Sequence, residues 1–307
     1  MIVTCGEALI DFLPRTGADG APLFEPKSGG SIANVAVAIG RLGVPAGFLG
    51  GLSSDLFGDQ LRRHFAASNV DLSLVQTSAR PTTLAFVALE NGSARYAFFD
   101  ENSAGRMLTA ADMPALPKAV QALHFGSFSL AAEPCGSAYE MLMQREQRDR
   151  VISLDINVRP SLIHNRDGYL ARVARLVAMS DIVKLSDEDL AWLDLGGDFE
   201  AIANRWLESG ARLVVLTRGG EGAVAVTPSG TARVDAVRTT VADTVGAGDT
   251  FTAALLVRLR TLDLLNKTSI ASLLPDDVSD LLAFAAKAAA ITVSRPGADP
   301  PWARELD

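Results

Sequence analysis

The chain reads as an α/β protein on a doubly wound, largely parallel sheet with a small β-sheet lid, and three observations predict this. Apolar runs of strand length recur at 1–5, 46–51, 121–125, 151–155, 181–185 and 213–217, with helical patterns between them. Residues 82–89 and 94–99 flank Asn91-Gly92 as a hairpin that no helix follows. No internal repeat or low-complexity linker divides the 307 residues, so a single domain, 1–307, is expected.

The first strand leads into Gly6-Glu7-Ala8-Leu9-Ile10-Asp11. Asp11 falls just past a strand end, where an open α/β sheet presents ligand-binding residues. Its carboxylate can accept two hydroxyl hydrogen bonds at once, or it is a solvated loop residue. The segment at about 8–26 and the hairpin region at about 80–102 are read as insertions that build a sheet standing off the main one, a sensible cover for an active site. Gly29-Gly30-Ser31-Ile32-Ala33-Asn34 then opens an apolar helix running to about Leu42 and stopped by Gly43 and Pro45. The glycine pair fits a tight turn or the close approach of a ligand. Asn34 stands in a helix otherwise occupied by Val, Ala and Ile, so its amide needs partners. Neighbouring backbone groups or the hydroxyls of a polyol would serve.

Asp155-Ile156-Asn157-Val158-Arg159-Pro160 lies at another strand end, and period-2 alternation sends Asp155, Asn157 and Arg159 to one side, with Pro160 closing the strand. Arg159 either neutralises transferring phosphate oxygens, holds substrate, or pairs with Asp155. Lys184-Leu185-Ser186-Asp187-Glu188-Asp189 places an acidic cluster after a strand, either as helix N-terminal charge or, through Glu188 or Asp189, to organise the waters of a Mg²⁺ ion. The glycines of Thr217-Arg218-Gly219-Gly220-Glu221-Gly222, between two strands, fit a hairpin turn or the close passage of a nucleotide. Neither a P-loop nor a Gly-x-Gly-x-x-Gly motif is present.

Residues 243–251, Asp-Thr-Val-Gly-Ala-Gly-Asp-Thr-Phe, carry the sharpest signal. Gly246, Ala247 and Gly248 let backbone N–H groups approach an anion, and the apolar run after them reads as a buried helix whose N-terminus points at it. Asp249 is either a helix N-cap or the base that a phosphoryl-transfer site needs beside its anion hole.

Composition narrows the classes. A formal net charge of −8 without a Lys/Arg run argues against nucleic-acid binding, so any phosphate binding is local. The two cysteines, Cys5 and Cys135, lack metal-ligand spacing and read as small core residues of a reduced, cytoplasmic protein. The N-terminus lacks a basic region, and no uncharged apolar segment reaches membrane-spanning length, so neither a signal peptide nor a membrane partner is expected.

Taken together, these segments resemble the ribokinase-like sugar kinases of the PfkB family, in order over essentially the whole chain. The residues that carry the resemblance are Gly-Glu-Ala-Leu-Ile-Asp at 6–11, Gly-Gly-x-x-Ala-Asn at 29–34, the hairpin, Asp-x-Asn-x-Arg at 155–159, Thr-x-Gly-x-x-Gly at 217–222 and Asp-Thr-x-Gly-Ala-Gly-Asp at 243–249. Within the family, 24–31, 80–87, 124–127 and 184–189 are most similar to bacterial fructokinases. The resemblance implies ATP- and Mg²⁺-dependent phosphorylation of a sugar hydroxyl, with Asp249 as base and the 246–248 amides as anion hole. It implies a sugar site of Asp11, Gly29, Gly30, Asn34, Phe98, Asn157 and Arg159, and a nucleotide site of Lys184, Ser186, Thr217, Gly219, Gly222, Gly246 and Gly248. Glu188 or Asp189 would serve the metal. Some relatives bind a monovalent cation, K⁺, near the segments matching Asp243, Val245 and 295–297. Ala286 stands where relatives often carry an Asn beside adenine.

D-fructose, giving fructose 6-phosphate, is the expected substrate. A 2-keto-3-deoxygluconate kinase, with Arg95 and Tyr96 receiving the substrate carboxylate, and a non-catalytic sugar-binding regulator are the alternatives. The apolar lid residues Phe86, Phe98 and Phe99 would suit pairing in a homodimer or covering the chain's own substrate.

Overall fold

A computed structural model describes residues 1–90 and 93–306, the side chains of 88–95 excepted, so the Asn91-Gly92 turn lies outside the described residues. In chain order the elements begin with β1 (Ile2–Cys5), β2 (Leu9–Thr16), β3 (Pro22–Gly29), α1 (Ser31–Arg41), β4 (Ala46–Leu49), β5 (Gly51–Ser53), α2 (Leu56–Ala67), β6 (Val70–Asp71) and β7 (Gln76–Ser78). The middle of the chain forms β8 (Thr83–Glu90), β9 (Ser93–Phe99), β10 (Ala122–Gly126), α3 (Cys135–Glu146), β11 (Val151–Asp155), α4 (Arg166–Ala178), β12 (Ile182–Ser186), α5 (Asp187–Leu193) and α6 (Phe199–Ser209). It ends with β13 (Leu213–Thr217), β14 (Ala223–Thr227), β15 (Gly230–Val234), α7 (Ala247–Thr261), α8 (Lys267–Ile270) and α9 (Pro275–Val293).

Among the described residues the main sheet has nine strands in the order β15-β14-β13-β12-β11-β10-β1-β4-β6. Every pairing from β13 to β6 is parallel, and β14 and β15 add antiparallel to one edge. Helices α1, α2, α7 and α9 cover one face and α3, α4 and α6 the other. Alternate residues of one strand therefore enter opposite cores: Leu213 and Val215 one, Val214 and Leu216 the other. Burial on both faces is why these strands read as unbroken apolar runs.

The second sheet, in the order β3-β2-β8-β9, joins the two segments read as lid insertions. The connection is the parallel pairing of β2 with β8, from Leu9↔Thr83 to Phe12↔Phe86. Its first hairpin extends to Gly29, three residues beyond the expected boundary.

Two expectations are corrected. The run at 46–51 is not one strand: β4 stops at Leu49, and β5 turns away to pair with β7. Gly50 makes the bend, where a Cβ would stand 2.5 Å from the Gly6 carbonyl oxygen. The strand through Asp155 does not continue to Pro160 either; β11 ends at Asp155 and Asn157 adopts a left-handed φ of 41°. Alternation therefore fails beyond Asp155. Cys5 and Cys135 are buried free thiols, and among the described residues no helix is long and apolar enough to cross a membrane.

Candidate active site

The C-terminal ends of β1 and β10–β13 meet the N-termini of α1 and α7, the edge where an open parallel sheet binds ligands. Gly246 precedes α7 in the left-handed region, φ 76°, and a Cβ there would lie 2.6 Å from Ala298 Cβ. Only glycine makes this turn. The amides of Gly248 and Asp249 lie in the first helical turn, where no carbonyl of the helix can reach them, so they are donors open to an anion.

Asp249 is not the N-cap. It is the third helical residue, and its carboxylate turns away to α1: Ser31 Oγ donates to Oδ1 at 2.6 Å and Asn34 Nδ2 to Oδ2 at 2.8 Å. Burial raises the Asp249 pKa above the ordinary carboxylate value, while the Ser31 and Asn34 donors pull it down. A raised pKa makes this carboxylate a stronger proton acceptor than an exposed one. Asn34 Nδ2 thereby finds its partner in the base and not in neighbouring backbone, which leaves the amide oxygen for a ligand.

Gly30, φ 98°, leads directly into α1. A Cβ on Gly29 would stand 2.1 Å from Asp11 Oδ2, so that glycine makes room for the carboxylate. Asp11 belongs to β2 in the smaller sheet, not to a loop after the first strand. Burial pushes its pKa to about 6, with the Asp249 charge adding and Arg159 opposing. Asp11 therefore lies within electrostatic reach of Asp249 and Arg159.

At the end of β11, Asp155 is fully buried and accepts from Lys184 Nζ at 2.9 Å and Thr252 Oγ1 at 3.2 Å. The Asp155–Arg159 pairing considered from sequence is therefore replaced by Asp155–Lys184. Burial opposes the charge on Lys184, yet Asp155 and the charges of Asp189 and Asp249 together raise the pKa. Lys184 lies under the anion turn, since a Cβ on Gly248 would be 3.2 Å from its Nζ. Asn157 donates to Ser31 Oγ at 2.8 Å and accepts from Arg159 Nη1 at 2.5 Å. His124, also on this face, is held neutral by burial with a pKa near 3, which removes it from acid–base chemistry.

Among the nucleotide expectations, Thr217 ends β13 beside Ser186 of β12. Gly219, φ 48°, has open space around it, as a ligand approach requires. Three residues prove committed to the chain's own backbone. Ser186 caps α5 with Asp189 as its reciprocal partner. Asp189 accepts from the Val158 and Ser186 amides and the Ser186 hydroxyl, at 2.7–2.8 Å, which engages both oxygens. A Cβ on Gly222 would meet Val234 O at 2.0 Å, so the hairpin alone demands that glycine. Glu188 is exposed on the first turn of α5. Among the described residues no group of three acidic, His or Cys side chains could hold a metal. Asp243 joins the two segments assigned to a monovalent cation, accepting from Val245 N at 3.1 Å and Gly297 N at 2.8 Å. Ala286 is buried, and Lys287 instead donates to Leu306 O.

On the smaller sheet Asp11, Ala85 and Phe98 form one cross-strand row, with Phe98 packed on Phe128 at 5.4 Å. Tyr96 stacks on Phe98 at 5.8 Å, and burial and the Asp11 charge raise its phenol pKa. The Arg95 side chain lies outside the described residues. On the opposite face Phe86 stacks on Phe12 and meets Phe24 and Phe99 edge-on.

Sequence reasoning passed over Ser31, Thr252 and Glu7. A hydroxyl between two glycines and an apolar helix was the signal for Ser31. Glu7 is wholly buried, and its carboxyl Oε1 accepts weakly from Ile32 N.

Known proteins share this fold. The family model described as pfkB family carbohydrate kinase matches residues 1–304. A fructokinase of Rhizobium leguminosarum bv. trifolii is 52% identical, over 89% of this chain and 84% of its own. Fructokinase of Xylella fastidiosa with bound ATP superposes with a TM-score of 0.91 at 29% identity, covering 99% of this chain and 96% of that one. Fructokinase of Vibrio cholerae in a fructose-, ADP- and calcium-bound form gives 0.83 at 29% identity, over 97% and 94%.

Proposed function

The chain belongs to the pfkB family of carbohydrate kinases, and we infer that it is an ATP-dependent fructokinase, converting D-fructose to fructose 6-phosphate. The observation that carries this reading is a buried carboxylate, Asp249, clamped by Ser31 and Asn34 beside the open amides of the α7 N-terminus. The fructokinase relative at 52% identity supplies the substrate.

In the reaction, fructose enters beneath the smaller sheet, where Asp11 and Asn34 replace water around its hydroxyls. Asp249 takes the proton of the primary hydroxyl as its oxygen bonds to the γ-phosphorus and the bond to the ADP oxygen breaks. The Gly248 and Asp249 amides and Arg159 receive the negative charge of the transferred group, the Ala247 amide being taken by Thr244 O at 3.3 Å. ATP lies toward Thr217 and Gly219, with Lys184 lending positive potential from below the turn.

Magnesium, when bound, neutralises phosphate charge. The residues present fit an ion carried by the nucleotide phosphates and water, with Glu188 free to contact that water, and do not fit direct ligation by Asp189. A K⁺ ion beside the Asp243 bridge is part of the same proposal. So is a homodimer through the outer face of the smaller sheet, where Phe24 and Phe99 are 49% and 61% exposed. The cytoplasm is the proposed compartment, in keeping with two free buried thiols.

A panel of fructose, ribose, 2-keto-3-deoxygluconate and fructose phosphates, read as ADP release, tests the reading, with fructose expected to give the highest kcat/KM. Preference for the keto-acid, selectively lost in Arg95→Gln, would replace fructose by 2-keto-3-deoxygluconate. Sugar binding without ADP release would leave the non-catalytic regulator.

A further inference from the structure

The polarity of one hydrogen-bonded chain is forced by its first member. Arg159 can only donate, so the Asn157 atom facing it at 2.5 Å is Oδ1, and Nδ2 is left to point at Ser31 Oγ, 2.8 Å away. Ser31, accepting there, has its own proton free for Asp249 Oδ1 at 2.6 Å. Each donor thus points toward the buried carboxylate, and such chains reinforce one another in a low dielectric.

We infer that Ser31 is a positioning residue that clamps Asp249 to Asn157 and Arg159, so that the aim of the base and the placement of the phosphate-facing cation are set together. The inference rests on the reading of Asp249 as base. Asn34 holds the other oxygen, so without Ser31 the carboxylate keeps one tether and loses its link to the segment that follows β11. Ser31 is the first residue of α1, where alanine serves the helix equally well; the expected loss is in chemistry rather than folding.

The charged and titratable groups around Asp249 are Asp155 and Lys184 below it, Asp11 and Tyr96 from the smaller sheet, and Arg159 through Asn157. Ser31→Ala leaves all of these in place and deletes one donor to the charged carboxylate. The acid limb of kcat must then move to higher pH.

The test compares wild type, Ser31→Ala, Ser31→Cys and Asp249→Asn in the full chain, with fructose and MgATP across pH. Ser31→Ala is expected to lower kcat roughly tenfold with the fructose KM within about threefold, and Ser31→Cys to fall between it and wild type. The Cys variant fills the same space and carries the comparison should the Ala variant not fold. An unmoved acid limb with wild-type kcat, or a raised KM with kcat intact, would overturn the positioning role while an inactive Asp249→Asn upholds the base. Near-wild-type turnover in Asp249→Asn would instead remove the base reading itself.

Discussion

The Lys184 ammonium stands 2.9 Å from the Asp155 carboxylate, both side chains almost wholly buried, immediately beneath the Gly248 turn. One ion pair therefore ties β11 to β12 and underlies the anion-binding amides, with Thr252 of α7 as third member.

Removing one partner of such a pair strands a charge in the core. Lys184→Met is expected to cost about 3–5 kcal/mol in urea unfolding, and Lys184→Met/Asp155→Leu to recover most of it. A single variant as stable as wild type would show that the pair carries no structural weight.

Asp249→Asn keeps the shape and part of the hydrogen bonding but removes the proton acceptor. Turnover is expected to fall roughly 10²–10⁴-fold, with fructose affinity changed much less. Single-turnover kinetics with MgATP at saturating fructose measure this directly.

Asn34→Ala and Asp11→Ala each remove polar contacts from the proposed sugar site, a loss of about 1–3 kcal/mol of binding per residue. Burial sets the Asp11 pKa at about 6, so fructose affinity should weaken as pH falls through that value and Asp11→Asn should flatten the dependence. Calorimetry showing equal affinity at pH 5 and pH 8 in wild type would place the sugar elsewhere.

How much was legible in advance follows from what each residue answers to. Gly246 and Gly30 announced themselves because few other residues suit their left-handed backbone, and the proposal of Asp249 as base was legible beside them. Asp189 and Ser186 were misassigned although Ser-x-x-Asp before a helix is itself a capping signal. Asn157 was misplaced because a single left-handed residue ends strand alternation. Ser31 and the Asp155–Lys184 pair depend on contacts between segments more than 25 residues apart, which no local pattern contains.

Glu7 gives a stability prediction whose sign is fixed. Burial raises its pKa from 4.5 to about 7, so the folded state holds its proton more tightly than the unfolded chain. That contribution is fully present below pH 4.5 and is lost as pH rises through about 7. Glu7→Gln cannot ionise, so its stability relative to wild type should improve on the order of 2–3 kcal/mol between pH 4.5 and pH 8. Denaturation midpoints differing by the same amount at both pH values would show that Glu7 does not titrate in this range.

Strand β3 ends at Gly29 and helix α1 starts at Ser31, leaving Gly30 as the whole connection. That junction has one residue of slack, whereas the sheet's other connections, at 6–8, at 79–82 and after Phe99, are longer. A displacement of β3 is therefore carried straight into the helix end that grips Asp249, which couples the proposed sugar site to the aim of the proposed proton acceptor.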